Sequence, residues 1–352
     1  MTNINMEKTK ILQIDGSFGE GGGQILRTSL SLSILTAQAI EIINLRAKRK
    51  NPGLQRQHLV CLEAAQKISG AKVSGAFLNS KFLRFEPRKI RPGKYEFDIG
   101  TAGSTTLVAE TILLPLTLAK RPSEILIIGG THNPLSPPFH YFSEVFLETL
   151  RTLNLKVRAN LEKWGFYPQG GGRIRLFIEP SEISSTSKIT KILERGELKS
   201  ISGLSVVANL PVSIALRQKD SLIKELKPFS LPEPEIEIEE IKTLSAGTFL
   251  FLKLIFEDNL IAGFSGLGKI GKRAEEVGKE VVQQFKDYWS FQKAFDPYLA
   301  DQLILYLALA KKPFSFTTSR ITSHLTTIVW LLEKFLNLKI SIDQEKKIVN
   351  LA

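Results

Sequence analysis

The chain of 352 residues holds one cysteine, two methionines and four histidines, and each scarcity removes a class of explanation. A single cysteine, Cys61, cannot form an internal disulfide, which fits a reducing compartment, most simply the cytoplasm. It lies in the helical pattern HLVCLEAAQKI and reads as a small buried hydrophobe rather than a reactive thiol. His58, His132, His140 and His324 show neither H-E-x-x-H spacing nor a cysteine partner, so no zinc site is legible. No run of 18 apolar residues occurs, which argues against a membrane-spanning helix. The opening MTNINMEKTK lacks the apolar stretch of a signal peptide. Acid is also in short supply: 47 Lys and Arg face 35 Asp and Glu, a net charge of +12. A basic surface attracts polyanions, nucleic acid foremost, although a lysine-rich surface of the thermophile kind would give the same balance without a partner.

Apolar residues make up 43% of the chain, enough for a sizeable core, and they are arranged as alternating strands and helices. Strands are expected at 10–16 and 39–47, with helices at 23–38 and 55–70, the second stopped by Gly70; KVSGAFL and KFLRFEP follow as strands. The same order restarts at FDIGTAGSTTLVAETILLPLTLA (97–119), continues through EILIIGGTHNP (124–134) and a helix over 139–153, and ends in a hairpin over 155–180. Residues 10–95 and 97–180 therefore read as two copies of one βαβαββ-like unit. After Pro180 the stretch SEISSTSKITK (181–191) is polar and loop-like, and LPEPEIEIEEIK (231–242) reads as an exposed acidic strand. From 298 the helical pattern returns, and KPFSFTTS, HLTTIVWLLEKFL, KISIDQ and KKIVNLA follow as strand, helix, strand, strand, as if completing a third unit. The expected organisation is a large domain, 1–187 with 293–352, interrupted by a smaller α/β domain at 188–292.

Several segments carry candidate chemistry. DGSFGEGGGQILRT (15–28) is a glycine loop opening a helix, a natural anion site, but Glu20 stands in its middle. It matches neither the dinucleotide fingerprint nor a P-loop. A divalent cation between Glu20 and phosphate oxygens would reconcile the two signs, with Gln24 and Arg27 on the same helix; a tight turn with a solvated Glu20 is the other reading. LRAKRKNPGLQRQHL (45–59) gathers Arg46, Lys48, Arg49, Lys50, Arg56 and His58 with no acid, as a phosphate site or as an exposed basic loop. GLGKIGKR (266–273) satisfies G-x-x-x-x-G-K, but Arg273 stands where a Walker loop needs Ser or Thr, so a turn before a basic helix start is the simpler account. Taken alone, His324 is an ordinary polar residue near a helix start.

In their order, EGGGQILR (20–27), RQHL (56–59), GTAGSTTLV (100–108), GGTHNP (129–134), GFYPQGGG (165–172), YLADQ (298–302) and S-H-L-x-T (323–327) resemble the RNA 3′-terminal phosphate cyclase family over about residues 10–340. The resemblance implies an α/β fold of three βαβαββ repeats, of the EPSP synthase-like type, with a small inserted domain. It implies ATP-dependent conversion of an RNA 3′-phosphate to a 2′,3′-cyclic phosphate with Mg²⁺ or Mn²⁺, through a covalent histidine–AMP on His324. Glu20 would then hold the metal, and Arg27, Arg46, Arg49 and Gln57 the phosphates. Pro138 and Tyr298 would pack on adenine, Asp301 would bind its amino group, and Leu299, Ala300, Gln302 and Glu110 would complete the nucleotide site. RNA 3′ ends would be the partner, with no membrane, and the oligomeric state is left open. Three positions depart from the family pattern: Ile328 for the usual Asn, Glu110 for Gln and His132 for an acid. These departures bear on efficiency and on nucleotide or metal preference. The family also includes a branch, without the histidine, that acts in ribosome assembly; that scaffold, and a P-loop phosphotransferase using 266–272, are the competing readings.

Overall fold

The computed structural model describes residues 11–183, 191–310 and 312–351. The N-terminal MTNINMEKTK, including Lys10 of the first expected strand, most of the polar stretch after Pro180, and Ala352 lie outside the described residues.

One supersecondary unit recurs three times. The first runs β1 (Leu12–Asp15), α1 (Gly23–Thr36), β2 (Ile40–Ile43), α2 (Arg56–Ser69), β3 (Lys72–Ser74) and β4 (Leu83–Glu86). The second runs β5 (Lys94–Asp98), α3 (Thr105–Thr117), β6 (Ser123–Gly129), a helical segment, β7 (Val157–Lys163) and β8 (Gly172–Ile178). That helical segment comprises α4 (Phe139–Tyr141), π-helical turns over Phe142–Leu147, and α5 (Glu148–Thr152), where the apolar spacing predicts one regular helix.

Between the second and third units the chain makes a fourth sheet. After β9 (Lys191–Ile192) come β10 (Leu198–Ala208), α6 (Ser213–Leu226), β11 (Glu235–Ile241), β12 (Gly247–Phe256), β13 (Ile261–Leu267) and α7 (Ala274–Trp289). The chain then resumes with α8 (Pro297–Leu309), β14 (Phe314–Thr317), α9 (Ser323–Leu336), β15 (Ile340–Asp343) and β16 (Ile348–Leu351). β9 pairs in parallel with β14, so the third βαβαββ unit is β9, α8, β14, α9, β15 and β16, broken after its first strand. The sheet orders are β1-β2-β4-β3, β5-β6-β8-β7 and β9-β14-β16-β15: the same arrangement each time, with the first two strands parallel and the rest antiparallel.

Alternation explains the layering. In β2, Ile40 and Ile42 are fully buried while Glu41 lies on the other face, where it pairs with Arg84 of β4, which also pairs with Glu86. The buried faces meet a shared layer of helices, in which α1 packs against α2, α3 and α9, and α8 against α9. α1 is therefore buried nearly all round, and its serines Ser29, Ser31 and Ser33 are inside. Cys61 is fully buried on α2, as its apolar neighbours suggest. The fourth sheet, ordered β11-β10-β12-β13, is backed by α6 and α7 over a second apolar cluster that includes Leu222, Leu252, Phe264, Val281 and Phe285. The stretch read as an exposed acidic strand forms β11, which lies at one edge of this sheet.

Candidate active site

The glycine loop after β1 is held between α9 and the basic loop after β2. Gly19 and Gly21 have φ of +56° and +57°, the left-handed region that glycine enters at little cost. A Cβ at Gly19 would strike Thr327 Oγ1 on α9, and one at Gly21 would meet Lys48. Lys48 Nζ in turn donates to the Gly19 carbonyl at 2.8 Å. α1 starts from Gly22 with no side chain capping it, so its first amides keep their capacity for an anion.

This packing sets Glu20 against an arginine and a histidine. Glu20 Oε2 lies 2.8 Å from Arg49 Nη2 and 3.2 Å from His324 Nε2. On the other side of the imidazole, Nδ1 is hydrogen-bonded to Gln24 Oε1 on the first turn of α1. His324 follows Ser323 at the start of α9, whose N-cap, Thr322, accepts from the Leu325 amide at 2.9 Å. Burial lowers the His324 pKa; Glu20 opposes that, and Arg27 and Arg49 reinforce it, leaving the ring neutral at pH 7.

The basic cluster divides by function. Arg46, itself at φ +53°, donates from Nη1 to the carbonyls of Asn51 and Gly53, 2.7 Å each, and shapes its own loop. Arg27 is half-buried and makes no hydrogen bond or ion pair among the described residues. A Cβ at Gly23 would stand 2.5 Å from His58 Nε2 and 2.8 Å from Arg27 Nη1, so the third consecutive glycine is the space these two side chains use. Burial, then Arg46, Arg27 and Arg49, push His58 down to about 3, which fixes it as a neutral ring accepting the Gln55 amide at Nδ1. Gln57 Oε1 accepts the Ser104 amide at 3.0 Å and ties this region to the second glycine turn.

The YLADQ turn forms the adjoining wall. Asp296 caps α8, accepting from the amides of Tyr298 and Leu299 at 3.0 Å and from Tyr141 Oη at 2.8 Å. Tyr298 is 45% exposed, edge-on to Tyr141, whereas Leu299 and Ala300 are fully buried in the core. Only Tyr298, Asp301 and Gln302 therefore offer side chains there, and Pro138 is a buried N-cap of α4. Asp301 is held by Thr322 Oγ1 at 2.6 Å, and Glu110 by Gln302 Nε2 at 2.7 Å. Of the family departures, Ile328 is buried core on α9. His132 is sealed in an aromatic cluster, bonded to Thr131 and to His140, 2.9 Å each, and stacked on Trp164.

Among the described residues no cluster of three or more His, Cys, Asp or Glu could cage a metal. Between β1 and α1 Glu20 is the one carboxylate, a donor set that suits a cation taking its other ligands from phosphate and water. The 266–272 segment does not present a free P-loop lysine, because Lys272 Nζ donates to Leu267 O at 3.1 Å and pairs with Glu280. No helix among the described residues is long and apolar enough to cross a membrane.

The buried acids make a stability prediction. Burial is the largest cause in each case, raising Asp301 to about 8, Glu110 to about 7 and Asp296 to about 6. The folded state then holds protons that the unfolded chain releases, so stability falls as pH rises through this range. His58, near 3, and His140, near 4, act oppositely, but only below the ordinary histidine pKa of about 6.5. Thermal midpoints should therefore drop from pH 6.5 to 8.5, and Asp301→Asn should reduce the drop; a flat or rising profile over that interval would contradict the assignment.

Sequence reasoning overlooked the partners that organise these groups. Thr322 and Asp296, the latter just before Pro297, carry the local signature of helix N-caps, but nothing local shows their bonds to Asp301 and Tyr141, and Gln24 shows only as a generic donor, because its partner lies 300 positions away.

Comparison with known proteins agrees with the order of these motifs. The sequence model of the RNA 3′-terminal phosphate cyclase family matches residues 18–342. Proteins named RNA 3′-terminal phosphate cyclase are similar along nearly their whole length. The one from Staphylothermus marinus is 42% identical over 343 residues, covering 96% of each chain. That from Gloeothece citriformis is 39% identical, covering 96% of this chain and 97% of its own, and that from Archaeoglobus fulgidus 39%, covering 96% and 100%. The chain belongs to the RNA 3′-terminal phosphate cyclase family.

Proposed function

We propose that the protein uses ATP to convert the 3′-terminal phosphate of RNA into a 2′,3′-cyclic phosphate, with His324 as nucleophile. The observation that carries this reading is the contact of Glu20 and Gln24 with the two nitrogens of the His324 imidazole at the start of α9, with Arg49 paired to Glu20. With Nδ1–H donated to Gln24 Oε1, the lone pair on Nε2 is the reactive one. That lone pair faces the Glu20 carboxylate, an opposition that a cation on Glu20 relieves. A Mg²⁺ or Mn²⁺ ion there would neutralise phosphate charge, and Glu20 is the residue that would hold it.

The steps are those the family likeness implies, and this placement supports them. Nε2 attacks the α-phosphorus of ATP, the N–P bond forms, and the bond to pyrophosphate breaks. An oxygen of the RNA 3′-phosphate then takes the adenylyl group, and the N–P bond breaks. The 2′-hydroxyl attacks the 3′-phosphorus, loses its proton, and AMP leaves with the bonding pair. Arg27, Arg46, Arg49 and Gln57 would hold phosphate oxygens, with Arg27 the cation not committed elsewhere among the described residues. Tyr298, Asp301 and Gln302 would border the adenine through side chains and Leu299 and Ala300 through backbone alone, while Pro138 would pack on it and Glu110 would hold Gln302. The basic surface would track the RNA backbone.

The division into a three-unit body and an insert belongs to the same proposal. The separate apolar cluster of the fourth sheet supports an inserted domain, and the pairing of β9 with β14 favours starting it after Ile192 rather than at 188. The scaffold reading would leave the Glu20–His324–Gln24 arrangement without a task.

The test is incubation with an RNA carrying a labelled 3′-phosphate. ATP-dependent conversion to a phosphatase-resistant end is expected; an end that stays phosphatase-sensitive would refute the reading. Gln24 acts through His324, so Gln24→Ala should slow adenylyl transfer to the enzyme roughly ten- to a hundredfold with little change in the KM for ATP. A change confined to KM would instead place Gln24 on the nucleotide.

A further inference from the structure

Two large aromatic side chains stand beside this site without a part in it. Phe18, in the glycine loop two residues before Glu20, is 38% exposed and stacks on Trp330 of α9, with centroids 4.0 Å apart and planes within 9°. Lys334 holds its ammonium 4.9 Å from the centre of the Trp330 ring. The loop runs antiparallel to α9: Glu20 meets His324, Gly19 abuts Thr327, and Phe18 meets Trp330. Six residues of helix separate His324 from Trp330, about 9 Å along the axis. The pair thus continues the line of the site past the histidine, with Lys48 and Arg49 along the opposite flank of the loop.

We propose that the Phe18–Trp330 pair is a stacking platform for a base at the 3′ end of the RNA substrate. Three features favour a nucleic-acid base over a protein partner. The exposed apolar surface is an aromatic ring already in stacked geometry. Cations border it, with Lys334 over the Trp330 ring and Lys48 and Arg49 along the loop. It lies within a nucleotide's reach of the imidazole that must pass its adenylyl group to the terminal phosphate. Single-stranded ends are recognised in this way, by bases laid on aromatic faces with backbone phosphates on neighbouring cations. Stacking accepts any base, so the platform would position the end without selecting its sequence.

The inference rests on the cyclase reading, and the experiment separates the two. Phe18→Ala should form the covalent adenylate from ATP alone at the wild-type rate, yet show roughly a ten- to hundredfold rise in KM for a single-stranded 3′-phosphate RNA. Phe18→Trp should restore it. An RNA whose 3′-terminal nucleotide lacks its base should show the same rise with the wild type and no further rise with Phe18→Ala. Binding of a fluorescently labelled 3′-phosphate oligonucleotide, followed by anisotropy, gives the same comparison independently of turnover. Failure of the wild type to adenylylate would defeat the cyclase reading, while the binding comparison would still decide the platform. Unchanged RNA binding in Phe18→Ala, additive losses with the abasic RNA, or loss of adenylylation would each overturn the platform.

Discussion

His324→Ala is expected to abolish covalent labelling by ATP and to reduce cyclisation at least about a thousandfold, the scale seen when a covalent nucleophile is removed. The loss should come without unfolding. The imidazole is 42% exposed, and α9 keeps its cap at Thr322 and its buried face through Leu325, Ile328, Val329, Leu331 and Leu332. An unchanged far-ultraviolet dichroism spectrum and thermal midpoint would attribute the effect to chemistry. Lys272→Ala is the matched control, because Lys272 is tied to Leu267 and Glu280 and should leave labelling intact. Loss of label in Lys272→Ala with retention in His324→Ala would move the chemistry to the 266–272 segment.

Arg27→Ala should cost about a hundred- to a thousandfold in kcat/KM, the magnitude associated with a donor aimed at developing charge in a preorganised site. The other arginines are partly committed, Arg49 to Glu20 and Arg46 to two carbonyls, whereas Arg27 has no such tie among the described residues. Arg27→Lys should recover only part of the loss, since an ammonium keeps the charge but not the planar fork. A second signature fixes the mechanism. Arg27 lowers the His324 pKa, so removing it lets the imidazole protonate at higher pH. The acid limb of the adenylylation rate should therefore move to higher pH in Arg27→Ala; a limb that stays put, with only KM for ATP raised, would make Arg27 a simple binding residue.

Much of this architecture is legible in the sequence because the signal is local. The apolar alternation of IEII and the helical spacing of QILRTSLSLSIL each report which face is inside, and the first two units follow from them. The third unit is visible only from its first helix onward. Its first strand is two residues long, too short to show a period, and its partner β14 lies more than a hundred positions away. The same contrast holds at the site. Glu20, Arg27 and the basic loop announce themselves by composition, but the pairing of Gln24 with His324 joins residues 300 apart, and that of Tyr141 with Asp296 residues 155 apart. Family likeness, not periodicity, drew attention to His324. In YLADQ the likeness names five residues alike, whereas a helical turn carries Tyr298, Asp301 and Gln302 on one side and sends the side chains of Leu299 and Ala300 into the core.

The central claim is that His324 Nε2 takes the adenylyl group. The most direct measurement is incubation of the protein with α-labelled ATP and Mg²⁺ in the absence of RNA, followed by proteolysis and mass mapping of the acid-labile adduct. The account predicts one AMP per chain, on the peptide containing His324 and on its imidazole. An adduct on a lysine, or no adduct from a protein that still forms cyclic ends, would contradict it.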